Sequence, residues 1–251
     1  MNADATVVII GIFMIFCRIG SCLMVLPGYS NSSIPAQIRL FIAFGVSLAV
    51  APGLLPTLTP LLQGANDDAR LLMLLTEVLN GLLIGLLGRI FLIAVQFGGS
   101  FVANAIGMGQ AMGVALDENG PEPAVVSLIT LTATVLIFSL NLHAEILRAL
   151  VASYTAMPVM LGFAPRMALA SMVDNLDMTF KLCLRIASPF VVYAVIVNFA
   201  IGLANKMTPQ IPIYFISLPF VIAGGLILLG YSIGDFLTIF VESYQRWVLQ
   251  G

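Results

Sequence analysis

Apolar residues run almost unbroken along this chain, over residues 6–26, 40–55, 71–97, 124–142, 144–163, 182–203 and 213–234. A helical bilayer crossing needs roughly 20 apolar residues, with a range of about 17 to 25, so most of these runs qualify and the second is short. No alternating ten-residue pattern of a membrane barrel is present. Backbone polar groups in lipid must be satisfied within their own segment, so the pattern predicts an all-α integral membrane protein of six to seven hydrophobic helices in a single membrane domain, residues 1–251. Turn chemistry separates the runs at PGYSNSSIP (27–35), at the Pro52 to Pro60 stretch leading into QGANDD, and at TPQIP (208–212). Ser188-Pro189 and Pro219 read as helix breaks.

Composition narrows the class. Hydrophobic residues make up 60% of the chain and charged residues 9%, far below the roughly 25% of a soluble domain. With a net charge of -2 there is no basic surface for nucleic acid. The N-terminus carries Asp4 and no Lys or Arg ahead of the first apolar run, the wrong flank for a cleaved signal, so that segment is expected to be retained. Cys17, Cys22 and Cys183 form no CxxC and read as small hydrophobes; no metal, cofactor or disulfide framework is expected. Orientation rests on few cations. With seven crossings and the N-terminus outside, Arg39, Arg166, Lys181 and Arg246 fall at cytoplasmic ends against Arg70 and Lys206 on the far side.

Charges inside the apolar runs carry more information. Arg18 lies in the first run, Glu77 and Arg89 in the third, Glu145 and Arg148 in the fifth, and Arg185 in the sixth. Each would cost about 2.5 to 3.5 kcal/mol at a bilayer centre, so these side chains are expected to face protein or a wet cavity. Glu77, Asn80, Gly81, Gly85 and Gly88 share one side of their helix, a small and polar face suited to close contact. Gly81 and Gly85 form a GxxxG, as do Gly109 with Gly113 and Gly230 with Gly234. The expectation is that these faces meet other proteins. An enzyme is not expected: the one histidine, His143, has no HExxH around it, and no GxSxG occurs. A small-solute secondary transporter would share the buried charges and broken helices, but no inverted repeat is visible. The Met-rich 157–178 stretch reads as core, and the tail from Asp235 to Gly251 as an interfacial or partner-docking helix, or one that frays into water.

GMGQAMGVALDENGPEPAV, residues 107–125, suits neither helix nor bilayer. Gly107, Gly109 and Gly113 free the backbone, and Met108 and Met112 offer apolar side chains that repack around varied shapes. Asp117 to Pro121 would also serve as an ordinary connecting turn.

Three runs carry a family resemblance: RIGSCLMVLPGYSNSSIPAQIRLFIAFGVSLAVAP, EVLNGLLIGLLGRIFLIAVQFGGSFVANAIG and, most specifically, GLANKMTPQIPIYFISLPF. They resemble the FliR family of type III export-gate proteins over nearly the whole chain, with Lys206, Pro209, Gln210 and Pro219 in the family's basic-Pro-Gln-Pro pattern. Pro212 and Ser217 depart from that pattern, where the family favours a polar residue and a glycine. The resemblance implies an export-gate subunit of the bacterial inner membrane, in the flagellar basal body or, alternatively, in an injectisome. It implies a pore built with FliP and FliQ homologues, with FlhB and FlhA nearby, that passes unfolded export substrates. It further implies that the 107–120 segment, with Gly107, Met108, Gly109, Met112 and Gly113, plugs that pore. Glu77, Gly81 and Gly85, with Lys206, Pro209 and Gln210, are then expected to contact partners.

Overall fold

In the computed structural model, which describes residues 3–30, 34–109, 111 and 122–250, the apolar runs become seven α-helices, and the described residues include no strand. They are α1 (Ala3–Val25), α2 (Ala36–Gln63), α3 (Asp67–Ala105), α4 (Ala124–Ser139), α5 (Leu142–Ala156), α6 (Pro165–Met207) and α7 (Ile213–Gln250), with a 3-10 turn at Val159–Leu161 before α6. Five of them, α1, α2, α3, α6 and α7, are long and apolar enough to cross a membrane. Counting α4 and α5 as one broken span raises this to six. Those two have 16 and 15 residues, below the length one crossing needs, so the seven crossings assumed for the orientation argument are not formed.

The expected breaks at 27–35 and 208–212 are present, and α2 gives way to α3 within QGANDD, but α2 runs straight through Pro52, Pro56 and Pro60. Each proline lacks an N–H and frees the carbonyl four residues earlier, which normally ends a helix. At a spacing of four, the rings and the freed carbonyls share one exposed side. The opposite side buries Ala51, Leu54, Leu58 and Leu62, and this stripe holds the helix together. Likewise α6 continues through Pro189 and α7 through Pro219, so the breaks read at those residues do not occur.

The chain divides into two units, residues 1–90 with 141–175, and residues 91–140 with 176–251. In the first, α1 lies along α2, where a Cβ at Gly11 would stand 2.8 Å from Leu55 Cδ2 and where the Phe16 and Phe44 rings meet edge to face at 6.3 Å. Met14, Ile15, Ile19, Leu23 and Leu62 fill its core. Met160 and Met167 are largely exposed, so the 157–178 stretch is not the core the sequence suggests.

In the second unit α7 packs its far end on α3. The Phe91 ring meets Tyr244 and Trp247, each at 5.5 Å between centroids, and Phe240 stacks on Tyr244 at 5.8 Å. The helical spacing of Phe236, Phe240 and Tyr244 thus serves an internal aromatic core, and the tail neither frays nor waits for a partner to cover those rings. Closer to the start of α7, Gly225 leaves room for Ile106, and the Tyr193 hydroxyl of α6 donates to the Val221 carbonyl at 2.6 Å.

Candidate functional site

Three places gather the residues that the sequence singles out. The first is where α1 meets α3. Arg18 is fully buried and reaches Glu77, also fully buried, through two parallel hydrogen bonds, Nε to Oε2 at 2.7 Å and Nη2 to Oε1 at 2.6 Å. Two more of its donors are used: Nη1 donates to Ser153 Oγ and Nη2 to the Met157 carbonyl, each at 3.0 Å. The guanidinium carbon lies 3.9 Å from the centroid of the Tyr154 ring. A planar fork meeting a carboxylate, with further acceptors and an aromatic face, is the arrangement in which a buried pair best offsets its desolvation.

The small residues make this approach possible. A Cβ at Gly81 would run into the Arg18 carbonyl and Ser21 Oγ, and one at Gly85 would stand 2.7 Å from the Cys22 carbonyl oxygen. α1 therefore occupies the face on which the sequence places a partner protein. Glu77, Gly81 and Gly85 make an intramolecular contact, and burial by another chain is not needed to explain them. In the sequence, the opposite sign of Arg18 and Glu77 in two different spans is the clue to their pairing. Ser153 and Tyr154 carried no such signal. The other GxxxG pairs behave differently: nothing lies within 4 Å of a Cβ built at Gly230 or Gly234, and Gly113 lies outside the described residues. Of the other span charges, Glu145 and Arg148 pair on the surface of α5 at 2.5 Å, and Arg185 is exposed.

The second place is the end of α3. The Met108 N–H donates to the Ala103 carbonyl at 2.8 Å and the Gly107 N–H to the Asn104 carbonyl at 3.1 Å, and Gly107 has φ of 80°. This is a Schellman cap, which requires a residue that tolerates left-handed backbone. Gly107 thus ends a helix, a definite job in place of general freedom. Gly109 folds against the Asn104 side chain, and Met108 is half-buried. Farther on, the Ala124 N–H donates to the Ala111 carbonyl at 2.8 Å, which brings the start of α4 back to the end of this turn. Met112 and the rest of 112–121 lie outside the described residues.

The third place is the turn joining α6 to α7. Lys206 stands in the last turn of α6, where a cation complements the helix dipole, and it is exposed together with Pro209 and Gln210. Met207 beside it is 82% exposed. No cluster of metal-ligating side chains occurs among the described residues.

The sequence has counterparts among known proteins. The sequence matches the family described as bacterial export proteins, family 1, over residues 9–247. The chain belongs to that family. Among its relatives, the flagellar biosynthetic protein FliR of Caulobacter vibrioides is 28% identical over 98% of both chains. FliR of Aquifex aeolicus is 28% identical over 94% of this chain and 90% of its own, and FliR of Bacillus subtilis 25% identical over 86% and 83%. The family match runs from within α1 to Trp247 near the end of α7, so all seven helices take part in it. The chain is an all-α, multi-pass export-family protein.

Proposed function

We propose that this chain is an export-gate subunit of the flagellar protein export apparatus, forming part of the passage that carries unfolded flagellar subunits across the bacterial inner membrane. The observation that carries the reading is the family match over residues 9–247, joined to whole-length similarity to proteins named FliR. The flagellar version is preferred to the injectisome one because the curated relatives at hand are flagellar biosynthetic proteins. No catalytic chemistry is assigned to it, and the transporter alternative loses the breaks at Pro189 and Pro219, since α6 and α7 run through both.

In this reading the chain assembles with FliP and FliQ homologues, with FlhB and FlhA adjacent. The exposed Lys206, Pro209 and Gln210 turn is a partner contact, supported by its exposure. The segment from Gly107 onward closes the passage when no substrate is present. Its support is local: a helix stopped by Gly107, a half-buried Met108 beyond the stop, and two flanks drawn together by the Ala124 to Ala111 bond. Met112 and Gly113 belong to this proposal from the sequence alone. Apolar constrictions can close a channel by excluding water, so such a closure need not seal like a packed core. Affinity purification of the tagged chain from its own membranes tests the reading. Recovery with FliP and FliQ homologues is expected, and a solitary monodisperse protein would refute it.

A further inference from the structure

In the second unit, α3, α6 and α7 meet at one level, and it is the level at which α3 ends. Ile106, fully buried, packs on Gly225 of α7, where an added Cβ would overlap the Ile106 side chain. A Cβ at the next residue, Gly107, would stand 3.4 Å from Leu218 Cδ1 and 3.6 Å from Ile222 Cγ1. The end of α3 therefore rests on α7 over Leu218 to Gly225. At about 100° per residue, Leu218, Ile222 and Gly225 share one side of α7, and Gly224 lies on another. That second side receives α6. A Cβ at Gly224 would stand 2.9 Å from the Tyr193 hydroxyl, which donates to the Val221 carbonyl at 2.6 Å.

Little else holds α7 there. None of residues 191–224 is buried, although Phe190 before them and Gly225 after them both are. Two side-chain hydrogen bonds join α6 to α7 along this stretch. One is that of Tyr193. The other runs from the Tyr214 hydroxyl to Asn198 Oδ1 at 3.4 Å, exposed and beyond the usual range for an O–H donor. A stretch with few buried contacts shifts at low cost, so the short bond decides where this part of α7 lies. It thereby sets the seat of Ile106 and Gly107.

We infer that Tyr193 is a positioning residue for the closing segment: its hydroxyl holds α7 under the end of α3 and so returns Gly107 and Met108 to the closed position after each chain has passed. This rests on the closure proposed above and names the side chain that sets it. A closure that yields to every passing chain cannot be fixed in a packed core. A seat held by one hydrogen bond gives way and re-forms.

The test is ion leak through membranes of cells carrying assembled complexes, with the 108–116 deletion as the open reference. Tyr193→Phe removes the hydroxyl and keeps the ring, and the Val221 carbonyl keeps its own helical bond, so no acceptor is orphaned. Loss of one ordinary hydrogen bond changes the held population roughly two- to tenfold, and leak per complex should rise by about that factor with recovery of the complex unchanged. Gly224→Ala, whose Cβ displaces the hydroxyl, should leak likewise. Tyr214→Phe loosens the same two helices away from the seat and should stay as tight as wild type. A leaking deletion beside wild-type tightness in both Tyr193→Phe and Gly224→Ala would overturn the inference. So would lower recovery of the complex without leak, the mark of a merely structural tyrosine, or equal leak from Tyr214→Phe. A deletion that does not leak is a separate failure, that of the closure itself, and the inference falls with it.

Discussion

Removing Glu77 should be the most damaging single change in the first unit. In Glu77→Ala the buried Arg18 guanidinium loses bonds of 2.7 and 2.6 Å and keeps Ser153 Oγ, the Met157 carbonyl and the Tyr154 ring, none of them charged. Breaking a buried pair from one side costs about 3 to 5 kcal/mol, a large share of the roughly 5 to 15 kcal/mol that holds a typical domain together. For a chain of this size about 1 kcal/mol moves the melting temperature by roughly 2 to 4 °C, so a drop of roughly 6 to 20 °C is expected. The assay is thermal unfolding of the purified protein in detergent, followed by helical circular dichroism. The double variant Arg18→Met with Glu77→Leu removes both charges and refills the space with apolar atoms, which is often neutral or stabilising. It should recover most of the loss. A single-variant shift under about 3 °C, or a double variant as damaged as the single, would refute the reasoning that an orphaned charge is what costs.

Further expectations follow from the other sites. Gly81→Leu with Gly85→Leu should push α1 off α3, since a Cβ alone already overlaps the Arg18 carbonyl and stands 2.7 Å from that of Cys22; recovery of folded protein should fall sharply, and unchanged yield would remove the close-packing claim. Lys206→Glu should lower flagellar export, read as motility and secreted subunit, while leaving the melting temperature within about 2 °C of wild type, because surface substitutions rarely exceed about 0.5 kcal/mol. Deleting residues 108–116 should make the membrane leak ions while complexes still assemble. Wild-type tightness in assembled complexes would return the segment to a connecting loop.

The all-α class, the apolar helices and two of the interhelical turns were legible because each is a local property. PGYSNSSIP and TPQIP combine residues that cannot continue a helix with residues that stabilise turns, and helices stop there. The Pro52, Pro56, Pro60 series looks equally disruptive in one dimension. Its spacing places the damage on one outward side, and the buried stripe from Ala51 to Leu62 outweighs it. The small polar face around Glu77 was legible as a close contact, but its occupant was not, because periodicity gives a face and not a neighbour. Two opposite charges in separate spans could have suggested α1. Nothing in the sequence announced that Tyr154 would lie against the guanidinium. Glycine at 107 suggests backbone freedom, whereas the bonds from Gly107 and Met108 back to Asn104 and Ala103 make it a cap. The aromatic spacing in the tail is plain in the sequence, yet it is Phe91, about 150 residues earlier, that explains it.

The proposal that this chain forms part of the export passage is tested most directly by photocrosslinking from Met108, the half-buried residue just beyond the α3 cap. A photoreactive amino acid at that position, in cells carrying an export substrate arrested by a folded domain, should yield an adduct between this chain and the substrate. The adduct should vanish when the substrate lacks its export signal. Adducts only with neighbouring subunits, in complexes shown to hold the arrested substrate, would contradict the account.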